Sequence, residues 1–430
     1  MRKLFSLLIF SGLLYSVEIG GEAKLNNFYY IFSTDSIKPV PYMFHQFEIE
    51  FSQTAEKYDF TGSLLFRLWA QNSAFSISEL STPSFNVKPH IWELYLTIYG
   101  FIFNNLDLKI GKQRISWGTA DKLNPTDILN PYDLQNPFDF GKKMPSEAVV
   151  FDLYLPKEFT FEGVLIPEFV PPLLPEGFPI FQARLPVIDS FSPSLSPGIK
   201  DTIIYPESKN FKNSMFAGKI YGKLFKWDFS LSYFYGFDNI PLIKNILIYP
   251  DTSGVERTII EYFFPRIQMI GFDFAGELYS IGIWGELGYF MPIDKIKLPF
   301  PLSSHIMPEK FENPYLKSTI GFDYTFTNGI YINLQWNHGF FFEKGEELHE
   351  YLVGRIEKKF LRDRLKTGIA CIGEGAEEDY GGAVVPEISY KPHDNVEINM
   401  GAIILDGTTG TLLGSWKDFD QFYLNLKVEF

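Results

Sequence analysis

A chain of 430 residues with 52 acidic and 38 basic side chains has a net charge of −14, which argues against nucleic acid or an anionic membrane surface as its partner. A single cysteine, Cys371, excludes a disulfide scaffold, and beyond residue 16 no run approaches the roughly 18–20 apolar residues of a membrane helix. Yet the chain holds 44 Phe, 24 Tyr and 7 Trp at a mean hydropathy near zero. Aromatic surface spread so thinly fits a transmembrane β-barrel, whose apolar residues occupy alternate positions and never form a run.

The first residues read as a secretory signal. Met1, Arg2 and Lys3 are the charged start, residues 4–14 the apolar centre, and Ser16 the small residue before a cut. Residues 1–16 are therefore expected to be removed, leaving 17–430 as one domain. From there apolar residues recur with period two, as in strands with one apolar face. A strand is expected near 19–29. Phe47, Ile49 and Phe51 alternate with Gln46, Glu48 and Glu50, and Leu64, Phe66 and Leu68 with Ser63 and Arg67. Trp92, Leu94, Leu96 and Ile98 alternate with Glu93, Tyr95 and Thr97, and Leu106, Leu108 and Ile110 set the outward register of the next strand. A hairpin follows over 149–155 and 159–166. Nine prolines between 167 and 213 exclude a central strand or a helix there, because each lacks the N–H that either would use.

Alternation resumes over 216–224, 229–237, 270–274 and 281–289, and Asn328-Gly329 is a strong hairpin signal. In the last strand Phe422, Leu424, Leu426, Val428 and Phe430 alternate with Tyr423, Asn425, Lys427 and Glu429. Strands ending on an aromatic residue characterise chains inserted into bacterial outer membranes, so the barrel-assembly machinery is an expected partner through Phe430. About 18 strands result, with 16 as the alternative, and short connections alternate with long ones. The expectation is all-β: a transmembrane antiparallel up-and-down β-barrel in the outer membrane of a diderm bacterium. Its short turns would be periplasmic, and its long extracellular loops would include 117–146 and 167–213. A soluble sandwich, β-helix or propeller fits less well, since the apolar face is aromatic-rich and no blade-length repeat is visible.

The stretch 110–140 breaks this pattern. It carries Asn124-Pro125-Thr126-Asp127, Asn130-Pro131-Tyr132-Asp133 and Asn136-Pro137-Phe138-Asp139. Asn caps free N–H groups, Pro presets φ, and Asp favours the positive end of a turn, so each copy is expected to form a separate turn. The outward register of Ile110 would also point Lys112 and Arg114 at lipid, at about 2–4 kcal/mol each in mid-bilayer. A bulge at Gly111 that turns both inward is the favoured escape; a site at headgroup level or against a neighbouring barrel are the others.

Gly111-Lys112-Gln113-Arg114-Ile115-Ser116-Trp117-Gly118, followed by the first Asn-Pro copy, resembles the GRQ-x-x-SWG…NP-x-D signature of porin-like outer-membrane barrel proteins, mostly uncharacterised. The phrase 333–340, NLQWNHGF, is a second point of similarity, and Lys112 stands where Arg is usual. The resemblance implies a barrel in the outer membrane and supplies no substrate.

The resulting expectation is a passive channel for small hydrophilic solutes, surrounded by lipid and lipopolysaccharide, with a homotrimer left open. Its constriction would set Lys112 and Arg114 on the wall against Asp127, Asp133 and Asp139 on an infolded loop. Arg67, Glu93, Lys109, Lys219, Lys223, Asp273, Glu286, Lys317, Asp323, Arg355, Glu357, Glu397 and Lys427 fall on the inward register and would line the lumen, where charge at bilayer depth is tolerable. The competing reading of the Asn-Pro turns is that they merely shape a surface loop. Calcium at their carboxylates lacks the alternate-position spacing of an EF-hand loop. Acidic runs at Glu343, Glu346, Glu347 and Glu350, and at Glu374, Glu377, Glu378 and Asp379, offer divalent-ion contacts with lipopolysaccharide or simply solvated tips. The six histidines show no metal spacing and no nucleophile elbow is present, so no catalytic residue, metal or cofactor is expected. The rival classes are an outer-membrane hydrolase assembled across strands and a non-conducting structural or adhesive barrel.

Overall fold

The computed structural model describes residues 17–30, 42–71, 86–135, 139, 141–173, 199–207, 211–250, 256–297, 310–376 and 379–430. The expected signal, most of the proline-rich segment, Asn136 to Phe138, Glu377 and Glu378 lie outside them. The strands are β1 (Glu18–Tyr30), β2 (Tyr42–Thr54), β3 (Tyr58–Gln71), β4 (Asn86–Ile98), β5 (Leu106–Gln113), β6 (Ser146–Leu155), β7 (Phe159–Ile166) and β8 (Ile199–Ile204). Next come β9 (Met215–Leu224), β10 (Trp227–Phe237), β11 (Leu242–Pro250), β12 (Glu256–Phe263), β13 (Arg266–Leu278), β14 (Ile281–Pro292), β15 (Ile296–Lys297) and β16 (Lys310–Phe311). The last are β17 (Tyr315–Thr325), β18 (Ile330–His338), β19 (Glu350–Phe360), β20 (Leu365–Ala376), β21 (Asp379–His393), β22 (Val396–Gly407) and β23 (Gln421–Glu429).

Eighteen of these form one closed antiparallel barrel, as the alternation predicts. Each barrel strand pairs with the next in the chain, and β1 pairs with β23 from Glu22↔Glu429 to Tyr30↔Gln421. Closure leaves the barrel sheet without an edge strand, the arrangement that lets a β-wall satisfy its backbone groups in a membrane. Outward positions carry exposed apolar side chains such as Leu231, Leu352, Ile356 and Ile369, while Ser230 and Ser232, which flank Leu231, and Arg67 on β3 are buried inside. Among the described residues no helix is long and apolar enough to cross a membrane.

Three features depart from the sequence expectation. β8, inside the proline-rich segment, is a strand, but at the edge of a separate three-stranded sheet, parallel to β12 and outside the wall. The bulge near the motif lies in β4 rather than at Gly111: the β3–β4 register shifts between Ser63↔Glu93 and Leu64↔Ile91. Trp92 is therefore turned inward, under the Arg67 guanidinium at 4.8 Å, and not outward. Finally, part of the inward register is apolar. Ala148, Val150, Val164, Ile166, Met215, Phe234, Ile267, Met269 and Phe290 pack with Ile115, Trp117 and Leu129 of the β5–β6 connection into one dry core.

Candidate functional site

The chain leaves the wall at Gln113 and returns at Ser146, and the described residues between them lie inside the barrel. Both ladders run through Gly111 without a shift, so the expected bulge is not there. Gly111 instead meets a close approach: with φ +131°, a Cβ would stand 2.3 Å from the Leu94 carbonyl oxygen. Lys112 stays on the outward face, opposite Glu147 in register, and its Nζ donates to the Ile91 carbonyl at 2.7 Å. It does not belong to a constriction. Arg114, the first residue beyond β5, is free of the strand's alternation and turns inward. Its Nη2 lies 2.6 Å from Asp127 Oδ2, its Nη1 donates to Asn130 Oδ1 at 2.8 Å, and its backbone N–H donates to Glu93 Oε1 at 2.9 Å.

The motif residues close on one wall carboxylate. Glu286, 3% exposed on β14, accepts from the backbone N–H groups of Thr119, Ala120 and Thr126, from Asn124 Nδ2 and from Thr126 Oγ1, at 2.5–3.2 Å. Only backbone can come this near: Gly118, at φ +85°, would place a Cβ 2.4 Å from Glu286 Oε1. Trp117 Nε1 donates to Glu162 on β7 at 2.5 Å. The SWG…NP-x-D residues thus grasp the wall from inside the barrel. Gly118→Ala should destabilise the barrel by about 1–3 kcal/mol through left-handed strain and the clash with Glu286. Denaturant unfolding in detergent measures it.

The second Asn-Pro copy behaves differently from the first. Asp127 N–H donates to the Asn124 carbonyl at 3.2 Å, closing a turn. Asp133 N–H instead donates to the Lys142 carbonyl at 2.8 Å, and Tyr132 bridges Lys143, so this copy is extended. Asn130 is fully buried and ties the two feet of the loop, accepting from Ile115 N–H at 2.9 Å and donating to Ser146 Oγ at 3.1 Å. Asp133 faces Arg67 across the lumen at 2.5 Å, both side chains being at most 1% exposed, and Gln135 Oε1 accepts from the same guanidinium. Lys143 is buried over the Tyr132 ring, 3.9 Å from Asp127 Oδ2. Burial pushes its ammonium down to about 8, against the pull of Asp127. Asp139 is half-buried, 3.7 Å from Lys122.

Of the expected wall charges, Glu93, Glu286, Lys317 and Arg67 hold connections in place, Lys317 by donating to the Phe340 carbonyl at 2.7 Å. Lys219 lies 3.7 Å from Asp273, Asp323 accepts from the Tyr331 hydroxyl at 3.0 Å, and Lys109 pairs with Val150 on the β5–β6 ladder. Lys223 meets Asp228, Glu397 accepts from Ser389, and Lys427 lies 3.3 Å from Glu22. Arg355, 2.7 Å from Glu357, borders the main cavity.

That cavity, about 700 Å³, separates the inner loop from the opposite wall of β1, β2 and β18–β23. Among the described residues its charged lining is Lys24, Lys122, Lys142, Arg355 and Lys366 against Asp121, Asp139 and Glu387. The sequence reading found Arg355 and Asp139 but missed Lys24, Lys142 and Lys366. Lys24 and Lys366 do sit on polar positions of alternating strands; only the sector left open was illegible.

A family model described as a protein of unknown function (DUF1302) matches residues 70–293. No curated protein matches the sequence. The fold is shared with solved structures at low identity. OccAB4 of Acinetobacter baumannii is 9% identical with a TM-score of 0.55, over 96% of this chain and 98% of that one. OccK9 (OpdG) of Pseudomonas aeruginosa is 8% identical with a TM-score of 0.53, over 96% and 98%. OpdK of the same organism, crystallised with vanillate, is 10% identical with a TM-score of 0.51, over 96% and 98%.

Proposed function

The chain belongs to the family of proteins of unknown function DUF1302, and from that premise we propose that it is a porin-like channel of the outer membrane. The observation that carries the reading is a closed 18-stranded barrel, apolar outside, whose interior holds a loop packed dry against one sector of the wall and a cavity with charged and apolar lining beside the other. A barrel of this strand number is wide enough for an aqueous path. Residues 1–16 act as the export signal in this reading, and the remainder is a single barrel amid lipid and lipopolysaccharide. Small hydrophilic solutes diffuse down their gradients past the inner loop, with no energy input and no chemistry.

The constriction differs from the one expected from sequence. Arg114, Asp127 and Asp133 are consumed in holding the loop, so selectivity falls to the cavity's free face. Five cations against three carboxylates line that face, and the further acids Glu22, Asp133 and Glu357 that meet Lys24, Lys142 and Arg355 stand outside the lining; in this reading the open face keeps a positive field, which low-dielectric walls focus. Small anions should therefore pass in preference to cations. In planar bilayers under a salt gradient, the wild type should give stable steps with an anion-side reversal potential. The double variant Arg355→Glu, Lys366→Glu should invert its sign, whereas Lys112→Glu, on the outward face, should leave it unchanged. A folded barrel that never conducts would overturn the reading.

A further inference from the structure

Two of the carboxylates that read as solvated loop tips are buried and meet a histidine. Glu343 lies in the connection between β18 and β19, His349 just before β19, and Glu374 on β20; their residues are 1%, 7% and 3% exposed. His349 Nδ1 is 2.8 Å from Glu374 Oε1 and 3.4 Å from Glu343 Oε1. One ligand atom from each residue lies within 4.8 Å of the others. The Tyr351 hydroxyl stands at the same point, 2.6 Å from Glu343 Oε1 and 3.2 Å from Glu374 Oε1.

The second oxygens of the carboxylates are anchored by backbone. Glu343 Oε2 accepts from Phe340 N–H at 2.7 Å and His349 N–H at 3.3 Å. Glu374 Oε2 accepts from Leu413 N–H at 2.9 Å, in the helical turn Leu412–Ser415 of the β22–β23 connection. Glu374 Oε1 also accepts from Leu412 N–H at 3.1 Å, so backbone fixes both carboxylates while one oxygen of each meets Nδ1. This is the pattern of outer partners that orient metal ligands. Among the described residues no lysine or arginine forms an ion pair with either carboxylate. Two carboxylates buried around a single imidazole exceed by one the charge that a protonated His349 balances, and a divalent ion balances both.

We propose that Glu343, His349 and Glu374 form a structural site for a divalent transition-metal ion of the zinc class, with the Tyr351 hydroxyl at its fourth side. Nitrogen and oxygen donors about 2.0–2.2 Å from zinc in a tetrahedron are separated by about 3.3–3.5 Å; two of the separations here, 3.2 and 3.4 Å, match, and the hydrogen-bonded ones, 2.6 and 2.8 Å, open by less than about 1 Å on binding. One imidazole with two carboxylates favours zinc-class ions over calcium, which takes six to eight oxygens. Bound there, the ion ties the β18–β19 and β22–β23 connections to β19 and β20. It clamps the rim of the barrel at its long-loop end. The proposal does not depend on conductance.

The full-length protein, folded in detergent, is dialysed against zinc and then against metal-free buffer, and its metal content is measured by mass spectrometry. The wild type should retain about one zinc per chain, and His349→Ala and Glu374→Gln at least tenfold less, each checked as a folded barrel by gel mobility. A chelator should lower the wild-type thermal midpoint and zinc should restore it, with neither change in His349→Ala. If a variant fails to fold, the wild-type response to chelator and zinc decides by itself. Zinc retention no higher than in His349→Ala, a midpoint indifferent to chelator and zinc, or retention of calcium in preference to zinc would each overturn the site.

Discussion

Glu286→Ala is expected to free the inner loop from the wall, raising single-channel conductance and current noise. The carboxylate satisfies five donors on the loop, all from the segment 119–126. A buried donor that loses its acceptor costs about 1–3 kcal/mol, and water entering the lumen recovers part of that, so a net loss on the order of 3–5 kcal/mol follows. Glu286→Gln keeps the shape and one acceptor oxygen, and should fall between wild type and alanine. The readouts are urea unfolding of the detergent-solubilised barrel and planar-bilayer recording. An alanine variant with wild-type conductance and midpoint would mean that the loop is held elsewhere.

Arg67→Met should destabilise the barrel by about 3–5 kcal/mol, since it leaves Asp133 as a buried charge without its main partner. Lys142, 3.5 Å from the same carboxylate, offsets some of this. The double variant Arg67→Met, Asp133→Leu should recover most of the loss, because two apolar groups in place of a buried pair are often neutral. If the double variant is as unstable as the single, the pair is not the source of the energy. The same unfolding assay measures all three proteins.

The wall was legible because a barrel makes every strand obey one rule: apolar toward lipid, polar toward water. Phe422 to Phe430 and Ile330 to Trp336 follow it without exception, and both are barrel strands. The inner loop was legible only as chemistry. Arg114 and Asp127 do face one another, but as a closed ion pair tied to Asn130 and Glu93, while Asp133 pairs with Arg67. The pairings with Asn130, Glu93 and Arg67 span 16 to 66 residues, and no local period encodes them. A faint signal existed in β6 and β7. Ala148-Val149-Val150-Phe151 and Val164-Leu165-Ile166 are apolar on both faces, which a water-filled wall does not require and a wall packed against its own loop does. Lys112 went wrong for a local reason. The extra residue that re-aims side chains was sought at a glycine in β5, whereas the strand opposite supplies it at Trp92.

The dry core draws its wall from β6, β7, β9, β10, β13, β14 and β17, which are consecutive around the barrel and lie in the middle of the chain. The open sector draws its wall from β1, β2 and β18–β23, the two ends, and contains the β1–β23 seam. The middle of the sequence therefore holds most of the dry core, while Arg67, Glu93 and Gln335 reach the inner loop from strands nearer the ends. The cavity wall is complete only when the two ends of the chain meet at the β1–β23 seam. A barrel halted before that last pairing would already own most of its dry core, with the cavity wall still divided between two flanks.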